Sequence, residues 1–121
     1  MNAADLRNLA LGLPEAEEKS HFGKADFRVK DRIFATLPSE ETAVVKLTPE
    51  EQQMVVASEP GVFAPVKGGW GQKGWTQVQL SEADRATLES ALRMAWRNAA
   101  PAGLRKRFTV IERDEFEWGQ S

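Results

Sequence analysis

The chain predicts an α+β fold, a single twisted antiparallel sheet with helices packed on one face. Three observations carry that prediction. Apolar residues recur at helical spacing near both ends, apolar and polar residues alternate with a period of two between Ala16 and Lys46, and the polar capping residues Asn2, Thr48 and Ser81 stand where helical patterns begin.

Asn2 can cap a first helix, with Asp5 placed to favour the positive end of its dipole. Leu6, Leu9, Ala10 and Leu13 fall on one face of it, and Gly12 and Pro14 close it. In the strand region Phe27 and Val29 point one way while Arg28 and Lys30 point the other, as in a half-buried strand. Ile33–Leu37 reads as the returning strand, around a turn at Lys30-Asp31-Arg32 that lacks the glycine favouring a type I′ hairpin. After a second turn at Pro38–Glu41, Thr42–Leu47 forms the third strand of the meander.

Thr48-Pro49-Glu50-Glu51 combines a capping threonine, a proline suited to the first helical position and a capping-box glutamate. That helix should run to about Ser58 and stop at Pro60-Gly61. Val62–Val66 is short and extended, and Pro65 restricts it to an edge or an irregular strand. Trp75–Leu80 alternates, but Trp75 falls opposite Val78 and Leu80, so its buried face stays open at this stage unless a bulge intervenes. Ser81 is the expected cap of the longest helix, Glu82 to Asn98, with Asp84 at the capping-box position. Leu88, Ala91, Leu92, Ala95, Trp96 and Ala99 are its stripe, Arg85, Glu89, Arg93 and Arg97 a charged ladder elsewhere on it, and Pro101 its end.

With 121 residues the chain fits one domain, 1–121, ending in a charged tail from about residue 105. No apolar run approaches the about 20 residues that span a bilayer, and no basic-then-apolar leader opens the chain. A soluble, unprocessed cytoplasmic monomer without a membrane partner is expected. The absence of cysteine excludes thiol catalysis and cysteine-ligated zinc. A net charge of −2 excludes the overall basic surface expected of a strong, general nucleic-acid binder, so any such affinity must come from a local patch.

Gly68-Gly69-Trp70-Gly71-Gln72-Lys73-Gly74-Trp75-Thr76 is the most distinctive stretch. Its glycines allow backbone conformations other residues resist, and its tryptophans are side chains that proteins bury or use for contact. Trp70, flanked by glycines, is expected to be the more exposed. The stretch is no phosphate-binding Walker loop, because Lys73 is followed by Gly74 and a strand rather than by Ser or Thr and a helix. His21 is the sole histidine, and Ser20 beside it would project to the opposite sheet face, so no nucleophile–base pair forms. The acidic groups Glu15, Glu17, Glu18 and Glu112–Glu117 lack calcium-loop spacing and read as solvated charge. No catalytic residue, metal site or cofactor is expected. Lys24, Arg28, Lys30 and Arg32 gather on one hairpin, with Lys46, Lys67 and Lys73 as further cations. A positive patch beside an aromatic loop can meet phosphate and give a tryptophan a base or groove to contact.

The ordered set Leu13-Pro14-Glu15, Ser20-His21-Phe22-Gly23, Asp26-Phe27-Arg28-Val29, Ile33-Phe34-Ala35-Thr36, Lys46-Leu47, Pro49-Glu50-Glu51, Trp70-Gly71, Gly74-Trp75-Thr76, Leu80, Leu92 and Ala95-Trp96 resembles the MmcQ/YjbR family over about residues 5–101. The resemblance implies a fold like that of CyaY and a DNA-binding module of the double-wing kind, with no enzymatic activity to carry over. Phe22, Gly23, Phe27, Phe34, Lys46, Trp70, Gly71 and Trp75 match recurrent family positions, and Lys46 is the polar candidate among them. Unlike CyaY-type iron binders, the first helix here carries only Asp5 with Arg7, which argues against iron. The expected function is a non-enzymatic module binding DNA weakly, with tolerance of sequence, through Arg28, Lys30, Arg32, Lys46, Lys73 and Trp70. The alternative is a protein- or small-ligand-binding domain that uses the Trp70 loop.

Overall fold

Helix α1 (Ala3–Leu11) begins where local hydrogen bonding dictates: Asp5 donates its amide to the Asn2 side chain and accepts the Asn2 amide in return, both at 2.9 Å. The computed structural model describes residues 1–21 and 23–107. Phe22, the His21 side chain and the acidic run Glu112–Glu117 lie outside the described residues. The remaining elements are β1 (Ala16–His21), β2 (Lys24–Val29), β3 (Arg32–Leu37), β4 (Thr42–Lys46), α2 (Pro49–Ser58), β5 (Phe63–Pro65), α3 (Gly69–Gln72, a single turn), β6 (Trp75–Gln79) and α4 (Arg85–Ala99). The strands form one antiparallel sheet in the order β1-β2-β3-β4-β6-β5. The α+β class and the single antiparallel sheet agree with the sequence reading.

One sheet face is covered. Phe27, Val29, Ala35, Val45 and Val78 point into it and are fully buried against α4 and α1, where Leu6, Leu88, Ala91, Leu92, Ala95 and Trp96 close the core. Trp96 also donates its indole N–H to the Pro14 carbonyl at 2.9 Å, which ties α4 to the segment after α1. In β6 the burial alternation settles the face that the sequence leaves open. Thr76 and Val78 are covered, while Trp75, Gln77 and Gln79 line the open face without any bulge.

The bulge lies elsewhere. The β2–β3 register shifts between Phe27 and Arg28, where Phe27 faces Ala35 but Arg28 faces Ile33. The extra residue lets consecutive Phe34 and Ala35 both reach the core, a local change of period invisible to simple alternation. The turn that follows has two residues, Lys30 (φ 50) and Asp31 (φ 66), the double positive φ of a type I′ hairpin built without glycine. Strand β1, Ala-Glu-Glu-Lys-Ser-His, carries no apolar alternation because it is an edge strand, and its charges discourage pairing with other chains. Pro65 sits on the other edge, as proline requires.

Helix α2 has the predicted limits and capping box, Thr48 and Glu51 exchanging side-chain-to-amide bonds. Helix α4 corrects the sequence reading. Its cap is Asp84, not Ser81, and Asp84 accepts the Thr87 amide at 2.8 Å. That backbone bond, followed by one from the Thr87 side chain, holds the Asp84 carboxyl below its ordinary pKa. Leu80–Glu82 forms a separate 3₁₀ turn that keeps both Leu80 and Ala83 in the core, and a carboxylate three residues later offers the helix a stronger acceptor than the Ser81 hydroxyl. Ala100 is extended because Pro101 follows it, so the helix ends at Ala99.

Candidate functional site

Strands β2 and β4 end, and β3 and β6 begin, at the same end of the sheet, so the Lys30-Asp31 turn and the glycine-rich segment before β6 lie at that end, separated by β3 and β4. The glycine-rich segment is a built turn. A Cβ on Gly71 would lie 1.8 Å from the Val66 carbonyl oxygen, and one on Gly74 (φ +107) would lie 1.9 Å from that of Leu47. At these two positions only glycine lets the backbone pass. The Leu47 amide donates to the Gly74 carbonyl, and the Val66 amide to that of Trp75.

Gln52 completes the frame from inside. Its side chain on α2 is buried, and Nε2 lies 3.0 Å from the Gly71 carbonyl oxygen, 3.1 Å from that of Trp75 and 3.2 Å from Thr76 Oγ1. The Thr76 hydroxyl donates onward to the Gly74 carbonyl at 2.8 Å. The sequence reading missed Gln52. Its signal was a polar residue one turn before Val55, on the face of α2 that is buried. Beside Gln52, in the first turn of α2, Glu51 accepts from the Asn98 amide of α4, which also donates to the Lys46 carbonyl and fixes the end of β4.

On this frame stands an alternation of rings and charges. Trp70 and Trp75 meet edge to face, with centroids 5.9 Å apart and planes at 75°. Lys46, paired with Trp75 across β4 and β6, sets its Nζ 5.9 Å from the Trp75 ring centre, and Lys73 sets its own 5.3 Å from that of Trp70. Trp70 is 61% exposed and Trp75 half-buried, the order expected from sequence. A cation over a ring is attracted by the quadrupole but keeps its full charge, so both lysines remain able to meet an anion.

The cations of the hairpin are disposed differently. Arg28 makes a two-point contact with Asp26, Nε to Oδ1 at 2.8 Å and Nη2 to Oδ2 at 3.2 Å, and Asp26 is only 5% exposed. The Asp26 hydrogen bond raises the Arg28 pKa against the opposing cost of burial, helped by the charges of Asp26 and Asp31. Lys30 pairs with Glu15, and Lys19 reaches Asp31 at 3.5 Å. Arg32 is exposed and makes no ion pair with a described residue. The structure thus brings Lys46, Lys73 and Trp70 together with Trp75, and occupies Arg28 and Lys30 with carboxylates. Arg32 lies at the same end of the sheet but pairs with the core-facing Val29, on the face opposite that of Lys46 and Trp75.

His21 ends the edge strand, opposite Lys24. Among the described residues no group of three His, Cys, Asp or Glu side chains could hold a metal ion, and no helix is long and apolar enough to cross a membrane.

The arrangement defines a fold seen in other proteins. The crystal structure of a Deinococcus radiodurans protein with a DUF419 domain is similar to it at a TM-score of 0.70 and 23% identity, with 88% of each chain covered. A Pseudomonas syringae protein solved as a structural-genomics target is similar at a TM-score of 0.64 and 14% identity, over 82% of this chain and 99% of that one. These likenesses speak for the fold alone. The YjbR family model matches residues 11–98, and the chain belongs to the YjbR family. A comparison with curated proteins finds no match.

Proposed function

We propose that the protein is a non-enzymatic module that binds DNA weakly and with tolerance of sequence, through Lys46, Lys73, Trp70 and Trp75, with Arg32 as a further cation at the same end of the sheet. The observation that carries the reading is the pair of lysines held over two packed tryptophans, with neither charge neutralised by a carboxylate of the described residues. Phosphates would meet the lysines and Arg32, and the exposed Trp70 ring would add contact area. With a net charge of −2 there is no long-range attraction, so affinity rests on these local contacts. About three phosphate contacts imply a slope of log K against log salt of roughly −2.7 on duplex DNA. His21 is assigned no catalytic role.

Labelled DNA titrated at two salt concentrations tests the reading. Binding should weaken with salt and be lost in the Lys46→Glu/Lys73→Glu variant. Absence of binding at low salt, or binding indifferent to salt and to the charge reversal, would transfer the assignment to binding of a protein or small ligand. One observation favours that second reading. An apolar cleft of about 340 Å³ lies between α2 and α4, lined by Met54, Val55, Phe63, Ala91 and Met94, and Met54 is 56% exposed.

A further inference from the structure

We infer that the Trp70–Trp75 cluster takes an unpaired nucleotide of a DNA single strand rather than a duplex. The inference rests on the DNA-binding reading above and narrows its ligand.

Shape is the first reason. Trp70 is 61% exposed and stands nearly perpendicular to Trp75, so the pair is not stacked face on face and Trp70 keeps ring surface for a planar partner. A duplex offers base edges and phosphates, and a tryptophan reaches a base face there only by unstacking neighbouring pairs. An unpaired base offers its face at once, and stacking on an aromatic side chain is the usual source of affinity for single strands.

Charge is the second. A duplex is held by an extended cationic footprint, and the hairpin that would extend it has committed Arg28 to Asp26 and Lys30 to Glu15. Four residues after Lys46, Glu50 puts a negative charge in the first turn of α2. What stands against the rings is short: Lys46 beside Trp75 and Lys73 beside Trp70, with Lys67 and Arg32 as the other exposed cations of this end. The flexible stem of Lys73 allows its ammonium to leave the ring and meet the phosphate of a base that takes its place. Two lysines flanking a ring pair match one stacked base with a phosphate on either side.

Preorganisation is the third. The Gln52 amide holds the carbonyl of Gly71, which follows Trp70, and that of Trp75 itself, so the platform exists before a ligand arrives.

The test compares three ligands at low salt: a non-self-complementary single-stranded 12-mer, its blunt duplex, and a 12-mer of abasic sugar-phosphate. Tryptophan fluorescence and anisotropy follow binding. The single strand should bind about tenfold or more tighter than the other two. Trp70→Ala should weaken single-strand binding about 5- to 100-fold, Trp70→Phe should recover part of it, and the loss on the duplex and on the abasic strand should be clearly smaller. The salt slope on the single strand should be roughly −2 for about three contacts. Duplex binding as tight as single-strand binding, or single-strand affinity indifferent to Trp70→Ala, overturns the inference and leaves the DNA reading standing. Absence of binding to all three ligands removes both.

Discussion

The β2–β3 hairpin and the α3–β6 segment close the same end of the sheet, and both carry cations, but they hold their charge in different ways. The hairpin answers the two cations at its centre: Arg28 lies against Asp26 two residues away and Lys30 meets Glu15, while Asp31 takes Lys19 of β1, and Lys24 and Arg32 stay exposed. Around the α3–β6 segment, Lys73 and the Lys46 of neighbouring β4 meet no carboxylate of the described residues and lie over its aromatic rings instead. Both regions count as basic in the sequence. The comparison teaches that in an acidic chain the number of cations says little, and what each cation faces decides whether it can meet a ligand.

The most disruptive way to break the comparison is to spoil the frame of the second region. Gly74→Ala combines a positive φ of 107° with a Cβ 1.9 Å from the Leu47 carbonyl oxygen, so it should cost about 3 kcal/mol or more in a denaturant titration. A variant as stable as the parent would show that the segment is not held against Leu47. Gln52→Leu is milder. It strips a buried donor from two carbonyls and a hydroxyl, for a loss of about 2 kcal/mol, and should shift the tryptophan emission as Trp75 is released. An unaltered spectrum would mean that the glycines alone position the rings.

Changes in the hairpin sharpen the comparison with smaller effects. Asp26→Asn frees Arg28, and one more phosphate contact should steepen the salt dependence of DNA binding by roughly 0.7–0.9. If the slope is unchanged, the hairpin stands too far from the ligand to matter. Arg28→Glu would be a poor probe by contrast, since it sets a second carboxylate against the nearly buried Asp26. Glu15→Gln should be smallest of all. It removes an exposed ion pair, so thermal unfolding should register a change within about 1 kcal/mol. A larger loss would promote that pair to a structural element.

Signals that act over a few residues were legible in the sequence. The caps at Asn2 and Thr48 placed two helices because capping is local hydrogen bonding, and Pro65 announced an edge because proline lacks a ladder donor. Signals that depend on distant partners were not. Asp84 displaced Ser81 as a cap because Leu80 and Ala83 had a core to fill. Strand β1 has no pattern of its own and exists through its pairing with β2. Within the site, Trp70, Lys46 and Lys73 could be named from the loop and from family likeness. The neutralisation of Lys30 required knowing that Glu15 lies across the turn. The Arg28–Asp26 pair was closer to hand, since residues two apart in a strand share a face.

Gly71 and Gly74 carry a consequence for how this surface can change over generations. Both positions are closed to any side chain by a neighbouring carbonyl, whereas a Cβ on Gly69, between them and the start of the turn, would meet nothing within 4 Å. Trp70, Gln72 and Lys73 project from a backbone that does not depend on their identity for its path. Substitution is therefore channelled: the scaffold tolerates new side chains at 69, 70, 72 and 73 and refuses them at 71 and 74. A descendant could exchange its ligand by altering the tip residues alone, with no repair needed in the sheet beneath.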